Sequence, residues 1–183
     1  MNKITLFLSL LALSAGAGAK LFKVSDLGNI LSKDANEFSC VLDSKTKLVW
    51  EVKSSKKGLQ DKQNTYTWFD DDSGVENGKY SHNCNWGENC NTAAFVNAIN
   101  NENVCKINSW RLPSEAELRT LIVYGDEDLL INTSFFPNTK LKSYWSSDQI
   151  DENIAIDVPF FYGGVKSSDK SFDAHIRLVS DAK

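Results

Sequence analysis

The chain has 183 residues, 42 % of them hydrophobic, with 20 basic and 24 acidic side chains and a formal net charge of −4 at pH 7. This mildly acidic balance argues against a general nucleic-acid or polyanion binder, because such proteins carry an excess of Lys and Arg. The length suits one domain with a substantial core and is short for two.

The first nineteen residues have the pattern of an export signal. Lys3 supplies the positive end, residues 4–13 form an apolar run, and Ala17-Gly18-Ala19 has the small-x-small pattern of a cleavage site. The apolar run is shorter than the roughly 20 residues that a transmembrane helix needs. We therefore expect residues 1–19 to be a cleaved signal peptide and the only contact with a membrane, with an uncleaved anchor as the alternative. The predicted location is the periplasm, the cell surface or the extracellular space.

The segment after the signal divides into an extension and a folded domain. Residues 20–37 have loosely spaced apolar side chains and are interpreted as an N-terminal extension or a short helix, and residues 38–183 as the domain. Residues 38–42 and 48–52 flank turn-forming residues and predict a β-hairpin. Residues 53–62 carry four lysines and predict an exposed loop.

The longest irregular region runs from Asp70 to Asn91 and contains a short segment bounded by Cys84 and Cys90. Loops of this length in small domains are usually functional or disordered. Four cysteines in an exported chain predict two disulfides, and we favour Cys84 with Cys90 and Cys40 with Cys105 among the three possible pairings. A zinc site formed by His82 with Cys84 and Cys90 is the alternative, but the spacing fits no standard zinc pattern.

The stretch from Trp110 to Ile122 predicts an extended segment that runs into an amphipathic helix. Pro113 disfavours helical geometry in the residue before it, so the helix should begin after it. Ser114 and Glu117 have the spacing of a capping box, and the apolar side chains that follow share one face. We interpret six residues as architecture rather than chemistry: Trp110, Arg111, Pro113, Ser114, Glu117 and Trp145.

The remaining pattern predicts one more helix and several strands. Thr92 is the predicted cap of a helix that ends near Asn101. Residues 144–147 begin a run of strands, in which Ile154, Ile156 and Val158 are expected to point inward. The last strand, 174–180, is expected to bury Ile176 and Leu178 and to expose His175 and Arg177. The predicted fold class is α+β, with antiparallel sheets, two helices and long disulfide-tied loops.

Several of these segments together resemble the bacterial family named for the C-terminal domain of the Legionella collagen-like adhesin. The resemblance covers about residues 38–180. It is carried by segments 40–53, 58–62, 64–68, 110–113, 135–139, 144–147, 163–165 and 177–179, which include Trp110-Arg111-Leu112-Pro113 and Tyr144-Trp145-Ser146-Ser147. The chain departs from the adhesin in lacking a collagen-like region and in its negative charge, and Lys47 stands where the family often has glycine.

The resemblance implies an architecture similar to C-type lectins and to formylglycine-generating proteins. The adhesin member is associated with sulfated glycosaminoglycans, so the implied function is an exported, non-catalytic recognition domain. Its expected partner is a glycan or an envelope or host protein, and no nucleic acid. The alternatives are an enzyme related to the formylglycine-generating proteins, which would need a reactive cysteine pair, and an envelope structural or inhibitory protein with one protein partner.

The candidate binding residues are aromatic and polar groups that we expect on the side of the long loop: Tyr80, Trp86, Tyr162 and Lys166. Neither His82 nor His175 lies in a recognisable nucleophile motif, so no catalytic residue is assigned. Acidic clusters at 70–72, 126–128 and 151–153 could supply oxygen ligands for calcium, but none has the spacing of an EF-hand loop. We therefore expect no cofactor and assign no metal ligand, with calcium as the alternative.

Overall fold

A computed structural model describes residues 20–87, 89–123 and 131–182. The predicted signal peptide and the acidic cluster 126–128 lie outside these residues. The described elements, in chain order, are β1 (Leu21–Val24), β2 (Cys40–Asp43), β3 (Leu48–Glu51), α1 (Thr92–Glu102), a 3₁₀ turn (Val104–Lys106), α2 (Glu115–Arg119), β4 (Ser143–Gln149), β5 (Ile154–Pro159), β6 (Lys166–Asp169) and β7 (Val179–Asp181). The fold class is α+β with disulfide-tied loops, as predicted. The likeness to C-type lectins stays a prediction.

The first sheet is antiparallel and has the strand order β1-β2-β3-β7. Strands β2 and β3 form the predicted hairpin. Of the two alternatives for residues 20–37, an extension or a short helix, the short helix is wrong, because β1 pairs with β2 from Leu21–Asp43 to Val24–Cys40. An isolated short helix is marginal in water, whereas the hairpin edge offers unpaired backbone groups that a strand can use.

The second sheet is antiparallel with the order β4-β5-β6, and its β4–β5 register shifts between Trp145 and Gln149. The predicted facing of β5 is wrong in part: Ala155 and Asp157 are buried, and Ile154 and Ile156 are only half-buried. Asp157 can be buried because its carboxylate accepts a hydrogen bond of 2.6 Å from Ser168 on β6. An alternation pattern cannot reveal such a cross-strand partner.

The two helices begin as local capping chemistry requires. Helix α1 is capped by Asn91, whose side chain accepts from the Ala94 amide at 2.8 Å, and not by Thr92 as predicted. The Thr92 hydroxyl is bonded to the Phe69 backbone instead. Helix α2 has the predicted capping box between Ser114 and Glu117.

Two disulfides tie the loops to these elements, with the pairing that we favoured. Cys40 of β2 is joined to Cys105 in the 3₁₀ turn, and Cys84 is joined to Cys90 within the long loop. The first closes the longer loop of 65 residues and constrains the unfolded chain by roughly 4 kcal/mol in the loop-entropy model. All four cysteines of the chain are therefore oxidised.

The core consists of two clusters of buried side chains. One surrounds Trp68, Phe95, Trp110 and Trp145, and the other contains Trp50 and the buried residues of α2 and the turn that follows it. The family-like Trp110 and Trp145 are thus packing residues, as interpreted. Both indole N–H groups donate to backbone carbonyls, which satisfies them inside the core.

A buried ionic cluster links β3 to the C-terminal segment. Glu51 accepts from Lys53 at 2.8 Å and from the Leu178 amide at 3.1 Å, and Arg177 donates to the Glu51 carbonyl at 2.7 Å. Lys53 therefore does not belong to the exposed loop, although Lys56 and Lys57 do. The predicted outward facing of His175 and Arg177 is wrong, since both are buried.

Residues 174–178 do not form a regular strand, because the segments with which their backbone pairs change from one residue to the next. Ala174 bridges to Tyr66 and His175 to Tyr144, and only at Val179 does the chain join β3. Each face of this segment therefore packs against protein. Because both faces are buried, the alternation of side chains along the strand wrongly predicted that His175 and Arg177 are exposed.

Replacement of Ser114 by Ala is expected to lower the free energy of unfolding by about 1 kcal/mol, because the Glu117 amide loses its capping acceptor. Urea unfolding measures the change. Ser134→Ala, at an exposed position, is the control and should change stability by less than about 0.5 kcal/mol. An equal effect of both substitutions would contradict the capping role.

Candidate functional site: a lysine-lined aromatic groove

A groove with a volume of ≈ 570 Å³ lies beside the second sheet. It is formed by four parts of the chain, namely the segment before Tyr66, the long loop, the residues just before and at the start of β4, and the stretch from the β5–β6 hairpin to the residues after β6. The lining side chains are Gln63, Thr65, Asn83, Lys140, Lys142, Ser143, Phe161, Lys166, Phe172, Asp173, Ala174 and His175. A depression at Lys56 and Lys57 is smaller, ≈ 300 Å³, and has no aromatic lining.

Two exposed aromatic rings line the groove and are held by other rings. Phe161 is 53 % exposed and packs edge-on against Tyr162, with 4.7 Å between ring centroids. Phe172 is 42 % exposed and packs edge-on against the buried Trp145 at 6.4 Å. Exposed rings that are already packed lose little conformational entropy when a ligand covers them.

Three lysines give the groove a positive charge although the protein as a whole is acidic. Lys140 and Lys142 precede β4 and Lys166 begins β6, where its Nζ lies 4.5 Å from the centroid of the Phe172 ring. Asp173 is the one carboxylate in the lining, and its Oδ2 lies 2.8 Å from His82 Nδ1. The charge of the lining is therefore positive, which favours an anionic ligand.

His175 lines the groove and is only 7 % exposed. Its Nδ1 lies 2.9 Å from the Asn64 carbonyl oxygen, and a carbonyl can only accept, so Nδ1 carries the proton. Burial lowers the pKa of His175 to about 4, with the charges of Lys53 and Lys140 acting in the same direction. The imidazole is therefore neutral at pH 7, and its Nε2 is an acceptor.

The long loop forms part of the groove because it is hydrogen-bonded to the segment before Tyr66. Thr65 donates its amide to the Asn83 carbonyl at 2.9 Å and accepts the Asn83 amide on its hydroxyl at 3.2 Å. Asn85 donates its amide to Asn64 Oδ1 at 2.9 Å. The loop is thus an ordered wall.

The structure brings only part of the predicted binding set to this groove. Lys166 lines it, and Tyr162 lies beside it through its contact with Phe161. Tyr80 lines a separate open surface near Glu76, and the half-buried Trp86 packs on the core with its ring 6.2 Å from Phe95. Neither Tyr80 nor Trp86 is in the lining of the groove.

Sequence reasoning missed most of the lining residues. Phe161 and Phe172 are absent from the predicted binding set, and His175 was predicted to face solvent. The one available signal was the pair Lys140 and Lys142 directly before the aromatic start of β4. No local pattern shows that this pair, the β5–β6 hairpin and His175 meet.

Two of the acidic clusters considered as calcium ligands lie in the described residues, and a carboxylate in each accepts hydrogen bonds from nearby backbone amides. Asp70 accepts from the amides of Asp72 and Ser73, and Asp151 accepts from the amides of Asn153 and Ile154. Within residues 20–87, 89–123 and 131–182, no group of three or more His, Cys, Asp or Glu side chains could hold a metal ion.

The zinc alternative is wrong, because Cys84 and Cys90 form a disulfide and provide no thiolate.

No helix in the described part of the chain has the length and hydrophobicity needed to cross a membrane.

Stability should fall on acidification between about pH 6.5 and pH 4, because the unfolded state takes up a proton at His175 before the folded state does. The pKa difference corresponds to up to about 3 kcal/mol. Urea unfolding at pH 7, 5 and 4 should show that the wild type loses this much more stability than His175→Asn, which cannot titrate there. Identical pH profiles would contradict the assignment of a neutral, buried His175.

Comparison with known proteins supports the resemblance in the sequence. No curated protein matches the chain. The family model of the Lcl C-terminal domain matches residues 39–180, which is most of the chain and includes every residue in the groove lining. This chain therefore belongs to the Lcl C-terminal domain family.

Proposed function

We propose that this chain is an exported, non-catalytic recognition domain that binds an acidic glycan in the groove. The observation that carries the proposal is the combination of two exposed aromatic rings with three lysines in one concave surface. Two disulfides and an adhesin-associated family are consistent with an exported protein. The adhesin-like role that the family resemblance implies agrees with this chemistry.

The chemistry of the lining fits a sugar chain with acidic substituents. Aromatic faces pack against the apolar C–H faces of sugar rings, and lysine ammonium groups attract carboxylate or sulfate groups. The overall net charge of −4 argues against binding polyanions over the whole surface. A local positive groove in an acidic protein instead favours binding of a short segment of an acidic chain.

A formylglycine-type enzyme is a weaker proposal because it would need a reactive cysteine pair. All four cysteines are closed in disulfides, and Cys40 and Cys105 are buried. The absence of catalytic activity stays a prediction. A single protein partner is the other alternative, and co-purification of one stoichiometric partner from cell envelopes is the experiment that separates it from glycan binding.

The triple variant K140Q/K142Q/K166Q should bind a chondroitin sulfate octasaccharide about tenfold more weakly than the wild type, since three exposed ion pairs of roughly 0.5 kcal/mol each are lost. Calorimetric titration at two salt concentrations measures the affinity and its salt dependence. The matched control is K45Q/K56Q/K57Q, which removes the same charge from exposed lysines outside the groove. Equal losses in both variants, or no binding by the wild type, would contradict the proposal.

Phe161→Ala should weaken binding of the same octasaccharide roughly five- to tenfold, since a ring that packs on the sugar contributes about 1 kcal/mol. Stability should change little, because half of this side chain is exposed. Ile150→Ala, which removes an exposed apolar side chain that is not in the groove lining, is the control. An unchanged affinity for Phe161→Ala would place the ligand elsewhere.

A further inference from the structure

We infer that His175 determines the specificity of the groove, because its imidazole accepts a hydrogen bond from a free, unsubstituted hydroxyl group on the sugar unit that binds there. This inference rests on the proposed function and narrows its ligand class. The lysines select acidic groups, whereas His175 requires a hydrogen-bond donor. The ligand is then an acidic sugar chain that retains a hydroxyl among its charged substituents, rather than a fully sulfated chain.

The tautomer of His175 is fixed by its backbone partner. Its Nδ1 donates to the Asn64 carbonyl, so the lone pair is on Nε2. Asn64 is buried and cannot move aside, because its side-chain amide donates to the carbonyls of Gly58 and Leu59 at 2.9 and 3.1 Å and its Oδ1 accepts from Asn85. The surrounding backbone therefore holds the imidazole in one orientation.

Nε2 of His175 is not closed off by protein. Within the described ranges no hydrogen bond to Nε2 is found, and this atom is not among the fully buried polar atoms without a partner, so it keeps some exposure. The groove is the surface that His175 lines, which places this exposed atom beside a ligand bound there. An accessible acceptor inside a concave binding surface needs a donor from the ligand, or it loses its hydrogen bond to water on binding.

Burial, more than the charges nearby, keeps Nε2 unprotonated. Burial lowers the pKa of His175 most, and the charges of Lys53 and Lys140 act in the same direction. The hydrogen bond to the Asn64 carbonyl and, to a smaller extent, the charge of Asp173 oppose this shift. Lys142 and Lys166 are the other charged groups in the lining, and Tyr144, whose own pKa is raised by burial, packs on the ring at 5.5 Å between centroids. The imidazole therefore acts as an acceptor at neutral pH.

An exposed, unprotonated Nε2 held in one orientation distinguishes two kinds of ligand. A sugar hydroxyl can donate to Nε2, whereas a sulfate ester has only acceptor oxygens and would place them against the lone pair. An acceptor left unpaired in the complex weakens binding even if the lysines attract the added charge. Electrostatics alone would instead make the most sulfated chain the tightest ligand.

The decisive experiment compares a chondroitin sulfate octasaccharide, which keeps free hydroxyls, with its fully O-sulfated derivative. The wild type should bind the partly sulfated form about tenfold more tightly, although it has fewer charges. Tighter binding of the fully sulfated form would overturn the inference. This comparison needs no variant, so it stands even if substitutions destabilise the protein.

The variant His175→Asn tests whether Nε2 causes the preference for the partly sulfated octasaccharide. His175→Asn can keep an amide donor near the position of Nδ1 for the Asn64 carbonyl, but it has no atom at the position of Nε2. It should bind the partly sulfated octasaccharide about tenfold more weakly and lose the preference over the sulfated form. His82→Asn makes the same change at the other histidine of the chain and removes the partner of Asp173, but it leaves Nε2 of His175 in place, so it should keep the preference for the partly sulfated form.

The outcomes separate this inference from the proposed function. Wild-type affinity and preference retained in His175→Asn would overturn the role of His175 while glycan binding stood. Failure of the wild type to bind either octasaccharide would overturn the proposed function and this inference together.

Discussion

The buried cluster of Glu51, Lys53 and Arg177 is the constraint on which the rest of the structure depends. Arg177 is fully buried and donates to the Glu51 carbonyl and to the Thr139 hydroxyl, so it ties β3 to the turn before β4 and to the C-terminal segment. Glu51 is the one carboxylate of the cluster, so its removal would leave two buried cations without this counter-charge, which costs roughly 3–5 kcal/mol. The cluster therefore fixes how these three segments meet.

The groove follows from this cluster because Arg177 and its hydrogen-bond partner Thr139 are close in the chain to groove residues. Thr139 directly precedes Lys140, and His175 lies two residues before Arg177. Burial lowers the pKa of His175 most, and the charge of Lys53 contributes in the same direction. The interactions that close the core thus position a lysine at the groove and help to keep the imidazole beside it neutral. The acidic surface elsewhere in the protein does not prevent a positive groove, since charges separated by more than about 10 Å are largely screened at physiological salt.

Predictions from the sequence succeeded where the signal is local. The capping box depends on residues three apart, the β2–β3 hairpin on two short runs around a turn, and the Cys84–Cys90 disulfide on a loop of 6 residues. They failed where a side chain has a distant partner. Lys53 was placed in an exposed loop and Arg177 on a solvent face, but each is paired inside the core. Charged residues are almost never fully buried unless paired, and the partner cannot be read from the neighbouring sequence.

The sequence by itself determined the family, the α+β class and the start of α2, because motif order and capping are properties of contiguous residues. Only the tertiary structure decided the candidate site. Its aromatic rings come from the β5–β6 hairpin and the following turn, its lysines from three positions, and its histidine from a segment that changes partners along its length. The first and last of these groups, Lys140 and His175, are more than thirty residues apart in the chain. Their meeting is set by sheet pairing and core packing, which act between distant residues and leave no periodic trace.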